Sequence, residues 1–132
     1  MILLGAIFMS GCSGGPTGAD AAAGRTDAGI RVIGAGSDLY STIDRQWAEV
    51  ESCWGSAASG EKQTVTIQQP ELYDAKGLGV IRVNGTLVYG MRIGNQVWVA
   101  PDLAALKHEF SHVIGERTTG QLVENGAGKC WL

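Results

Sequence analysis

The sequence predicts an α+β fold: a backing helix, a small sheet of about four mostly antiparallel strands, a second helix and an irregular C-terminal tail. Three observations predict it. Leu39, Ile43, Trp47, Val50 and Trp54 recur at helical spacing. Residues 64–68 alternate, and residues 79–100 read as a meander of strand-like runs between turn signals. A second set, Leu103, Leu106, Phe110, Val113 and Ile114, again follows the helical period.

The first helix is predicted from Ser37 to about Cys53, with Ser37 or Asp38 capping its start and Gly55 and Gly60 bracketing its exit loop. Asp44, Arg45, Glu49 and Glu51 form its solvated face. A strand over Thr64–Gln68 is ended by Pro70. Asn84-Gly85 is a strong hairpin signal between Val80–Val83 and Thr86–Met91, and Gly94-Asn95 marks a second turn before Gln96–Ala100. The second helix is predicted to begin at Pro101, where the missing N–H costs nothing and Asp102 suits the helix dipole. Gly115 is placed to end it.

At 132 residues the chain has room for one domain. With 45% hydrophobic and 17% charged residues it is too apolar to be disordered. Its net charge is −3 and its Lys and Arg are scattered singly, which excludes the basic stripe of a nucleic-acid binder. Residues 1–11 are almost all apolar or small, too short to span a bilayer, and read as an export signal. Met9-Ser10-Gly11-Cys12 resembles the lipobox of bacterial lipoproteins, although no Lys or Arg precedes the apolar run. The resemblance implies cleavage before Cys12, lipidation of that Cys and a membrane anchor in the bacterial envelope. Ser13 after the Cys is similar to an outer-membrane sorting pattern. Residues 12–36, rich in Gly, Ala, Ser and Thr, are then expected to be a flexible tether, with Ile30, Val32 and Ile33 able to form a short strand near its end. The folded domain is expected over 37–132. With Cys12 lipidated, Cys53 and Cys130 remain as an even pair in an oxidising compartment, and a disulfide is expected.

Residues 108–112 read His-Glu-Phe-Ser-His, an HExxH motif. Two His four apart on a helix stand one turn above each other, so both imidazoles can reach one ion. Neutral imidazole suits zinc, and Glu109 beside the pair can take a proton from water and return it to a leaving amine. With His108 set at 0°, a period of 3.6 residues puts His112 near 40° and Glu109 near 100°. It puts Leu103, Leu106, Phe110, Val113 and Ile114 between about 140° and 240°. One face is thus apolar and the opposite face carries the chemistry. The chain holds just two His, and both are in the motif.

At these residues the chain resembles the zincin metallopeptidases, closely over His108–Gly115 and loosely in its order of helix, sheet and HExxH helix. The resemblance implies a minimal zincin-like domain, a Zn2+ ion held by His108 and His112, and Glu109 as catalytic base. It also implies an edge strand that takes extended substrate by strand addition, a role open to the Trp98 strand or the one before it. Where some zincins carry a third His this chain has Thr118, and no Met follows the motif, so a carboxylate must complete the site. Glu124 is the third-ligand candidate and Glu116 the alternative, the latter also suited to a supporting role behind the ligands. Tyr40, Tyr73 and Tyr89 are candidates to hold the oxyanion, and Arg117 and Lys129 flank the tail. The expected function is a monomeric zinc peptidase acting on a peptide or protein in the envelope. The alternative is a non-catalytic lipoprotein that uses a zincin-derived fold to bind or to scaffold.

Overall fold

A computed structural model describes residues 23–55, 59–120 and 130 of the chain. The signal-like segment, Cys12, Glu124 and Lys129 lie outside the described residues. Eight strands and two helices are present among those described. They are β1 (Gly24–Arg25), β2 (Arg31–Ile33), α1 (Tyr40–Trp54), β3 (Thr64–Ile67), β4 (Leu72–Tyr73), β5 (Gly79–Val83), β6 (Thr86–Val88), β7 (Gly90–Ile93), β8 (Gln96–Val99) and α2 (Leu106–Thr119). The class is α+β, as expected. No helix among the described residues is long and apolar enough to cross a membrane.

Five strands form the main sheet in the order β1-β2-β3-β8-β7, and β4-β5-β6 form a second, three-stranded one. The expectation of about four mostly antiparallel strands needs correction at the centre. β2 pairs with β3, and β3 with β8, in parallel. The cause lies in the segment expected to be a tether up to residue 36. Its Val32 is fully buried, and Arg31–Ile33 lies in register with Thr64–Thr66. α1 is the connection between β2 and β3, and a strand–helix–strand crossover places its strands in parallel. The folded domain therefore starts before residue 37.

α1 buries the predicted stripe, with Ile43, Trp47 and Val50 at its centre. Its start differs from expectation: Ser37–Leu39 form a 3-10 turn, and no side chain caps either that turn or the helix. Gly55, left-handed at φ +68, closes the helix.

α2 differs at both ends. Leu103 takes φ +58, which no helix tolerates, so residues 101–105 make tight turns and the helix begins at Leu106 rather than at Pro101. Leu103 is buried, and its burial offsets the cost of a left-handed Leu, about 1–2 kcal/mol. Asp102 serves the turn: one carboxylate oxygen accepts the Ala104 N–H and the other the Gly79 N–H on β5. Gly115 does not end the helix. It lies inside it, where a Cβ would stand 2.7 Å from the Trp54 ring, so this glycine is what allows α1 and α2 to approach. Gly120 at φ +71 is the terminator.

One core joins both helices to the sheet. Trp47 meets Phe110 edge to face with centroids 4.9 Å apart, worth about 0.5–1.5 kcal/mol beyond simple burial. Val32, Val65, Val97 and Val99 cover the helix side of the sheet. On its other side Trp98 and Met91 pack against Ile81 and Val83 of the second sheet. The hairpin signal at Asn84-Gly85 is realised with both residues at positive φ, between β5 and β6. Cys53 and Cys130 are disulfide-bonded, as expected.

Candidate metal and peptide site

α2 places His108 and His112 one turn apart, and their Nε2 atoms are 3.0 Å from each other. Two imidazole nitrogens at that separation need a proton or a cation between them, since two lone pairs or two N–H groups would repel. Two nitrogens that occupy neighbouring corners of a tetrahedral zinc at 2.0–2.1 Å stand about 3.3 Å apart, so the pair fits two corners of such a site. Burial, and then the neighbouring His112, push the His108 pKa below its ordinary value, which favours the neutral, metal-binding imidazole.

Glu109 is 8% exposed. Burial pushes its carboxyl above the ordinary range, while the charges of His112 and Arg92 pull it back. It lies in the first turn of α2, where the helix dipole also favours the carboxylate. The result is a buried acid held between opposed influences, the environment in which a proton acceptor is useful.

His108 and Glu109 line a cleft of about 700 Å3 between the start of α2, the β6–β7 segment and the turn after β4. Its other walls are largely apolar, with Leu78, Leu87 and Val88. Gly90 also lines it, and a Cβ there would stand 2.8 Å from that of Ala105 and 3.3 Å from Cγ of Glu109. A glycine at this point is what lets β7 run close beside the Glu109 side chain.

β7 is the last strand of the main sheet among the described residues. The carbonyls of Asn95 and Val99 accept hydrogen bonds from Thr64 and Gln68, so alternate residues of the β8 segment turn their backbone groups toward β3. Arg92 and Gly90 stand opposite Val97 and Val99. In an antiparallel pair such residues point their N–H and C=O away from the partner. The backbone groups of Gly90 and Arg92 therefore face the open edge, next to the cleft. The Trp98 strand lies between β3 and β7 and has no free edge, so of the two strands considered for pairing only the one before it qualifies.

Glu116 is engaged with another residue: both its carboxylate oxygens accept from the Arg92 guanidinium. Among the described residues no group of three His, Cys, Asp or Glu side chains is placed to hold a metal, and Glu124 lies outside them. Of the three tyrosines only Tyr89 lines the cleft, and its hydroxyl donates to Asp74 at 2.8 Å. Tyr40 packs over Gly24 and Tyr73 is exposed on β4. Arg117 is drawn away from the cleft: it lies over the Trp47 ring and donates to the Ser59 carbonyl and the Asn95 side chain.

Sequence reasoning missed Arg92, Gly90 and the cleft wall at Asp74, Lys76 and Leu87. A glycine inside a strand pattern is a recognised sign of close approach, and Gly90 was legible on that ground. Comparison with family models, with curated proteins and with solved structures returns no match to this chain.

Proposed function

We propose that the chain is a zinc-dependent peptidase of zincin type, carried on the bacterial envelope by a lipid at Cys12. The observation that carries the reading is the paired Nε2 atoms of His108 and His112 beside a buried Glu109, at one end of a cleft that a strand edge borders. His108 and His112 would hold the ion, with a third donor from outside the described residues, for which Glu124 is proposed. Zinc held there supplies Lewis acidity, polarising a carbonyl and making water more acidic. The chain's own residues do the rest. The outward N–H and C=O groups of Gly90 and Arg92 pair with an extended peptide and fix its direction along β7. Leu78, Leu87 and Val88 give the cleft an apolar wall for a substrate side chain. Glu109 accepts the proton of the attacking water and delivers it to the departing amine, and its burial raises its appetite for that proton.

The test is metal content and peptide hydrolysis on the same oxidised preparation. Zinc at one per chain, lost in His112→Ala and kept in Glu109→Gln while hydrolysis disappears, is the expected result. Zinc-free protein in zinc-containing buffer refutes the reading. A second reading, a non-catalytic binding module, is favoured by the absence of a third donor among the described residues. It predicts peptide binding without turnover.

A further inference from the structure

We propose that Lys76 makes the cleft selective for substrates in which a carboxylate lies close to an apolar side chain. The inference rests on the peptide-binding reading of the cleft and adds its substrate class. The turn that carries Lys76 is unusually well fixed. One oxygen of Asp74 accepts the N–H groups of Lys76 and Leu78, each at 2.8 Å. The other accepts the Tyr89 hydroxyl, which ties the turn to the β6–β7 segment across the cleft. Gly77, at φ +82, completes the turn, and the Gly79 N–H is anchored to Asp102 ahead of α2.

The consequence is an asymmetry of charge. Asp74 engages both oxygens with those three donors, which, together with the charge of Lys76, hold its carboxyl below the usual carboxylate range. It is a structural anion with little left to offer a ligand. Lys76 lines the same cleft, is exposed, and takes part in none of the ion pairs among the described residues. Its ammonium acts on Asp74 from a distance, helping to lower that carboxyl, but no ion pair holds it among the described residues, so it remains open to a ligand on a wall it shares with Leu78, Leu87 and Val88. A ligand that seats an apolar side chain among these residues brings the adjacent part of its chain to Lys76, and a carboxylate there is matched where a second cation is repelled. The carboxylate can belong to an Asp or Glu side chain or to a chain terminus.

Binding separates this from the catalytic reading. The full chain carrying Glu109→Gln, supplied with zinc, is titrated with four peptides: acetyl-Ala-Ala-Leu-Glu-Ala-amide and its Gln counterpart, and acetyl-Ala-Ala-Ala-Leu with a free or an amidated terminus. Affinity for at least one acid member is expected to exceed that for its neutral twin by up to about fivefold, the upper end for a solvent-exposed ion pair. Lys76→Gln should abolish the preference, and Lys76→Glu should invert it. The pair that shows the preference identifies the carboxylate's source. Equal affinities, a preference that survives Lys76→Gln, or no binding of any peptide overturns the proposal. Hydrolysis of the same peptides by the parent chain reports separately on the peptidase reading.

Discussion

The guanidinium of Arg92 grips both carboxylate oxygens of Glu116, one helical turn beyond His112. The pair is largely buried, with side-chain exposures of 15% and 23%, and it bolts the edge strand β7 to the HExxH helix. It also keeps a positive charge close enough to Glu109 to lower that group's pKa.

Arg92→Gln should therefore act twice. Leaving Glu116 without its partner should cost about 1–3 kcal/mol, measured by urea unfolding. Losing the positive charge should raise the Glu109 pKa further, so the acid limb of the pH–rate profile should move to higher pH. An unmoved acid limb would show that Arg92 does not act on Glu109.

Glu109 itself should make the protein less stable as pH rises. Its folded-state pKa is raised by burial above the ordinary value of 4.5, so the folded state binds the proton more tightly than the unfolded chain does. The resulting stabilisation is complete below about pH 4.5 and is lost as pH climbs through the folded-state pKa. Glu109→Gln removes the titration. In metal-free buffer the variant should melt above the parent at pH 7, and the gap should close on acidification below pH 4.5. A constant gap at both pH values would contradict the assignment.

Gly90→Ala should loosen the site without touching a polar group. The new methyl would stand 2.8 Å from the Ala105 Cβ, so β7 or the start of α2 must give way. A loss of about 1–3 kcal/mol is expected from such overpacking. Hydrolysis should suffer beyond what stability explains, because the strand edge and Glu109 no longer keep their spacing. Gly94→Ala, at a turn where a Cβ meets nothing within 4 Å, should leave hydrolysis unchanged once the strain of its φ of +59 is allowed for.

Reduction of Cys53–Cys130 should be costly. The bond links residues 77 apart, for which chain entropy gives a limit of about 4.5 kcal/mol. A fall in the denaturation midpoint on adding dithiothreitol, absent in a Cys53→Ser/Cys130→Ser variant, is the expected outcome.

The sequence carries what is periodic and local. The buried stripe of α1, the positive-φ hairpin at Asn84-Gly85 and the stacking of His108 and His112 one turn apart all follow from spacing and turn chemistry. What escaped depends on contacts between distant segments. Ile30, Val32 and Ile33 offer a short strand in a stretch rich in Gly and Ala, but only β3, more than thirty residues later, draws that strand into the sheet. Gly115 resembles a helix terminator because glycine commonly is one, and only the Trp54 ring pressing on it reveals a packing role. Leu103 delays the helix because burial favours a backbone angle that leucine seldom adopts. In the site, the His pair and Glu109 were legible because three residues within five positions of one helix define them. Arg92 and the cleft wall were not, since strand order decides what faces α2.

That strand order has a consequence for how the chain acquires its structure. β7 and β8 are joined by a two-residue turn and can form at once, whereas β3 must wait for β8, some thirty residues further along. Until it arrives, β3 shows an unpaired margin rich in β-branched residues, the kind of surface on which one unfinished copy templates another. A slow step in refolding, more prone to aggregation as protein concentration rises, is the kinetic signature of placing β3 beside β8.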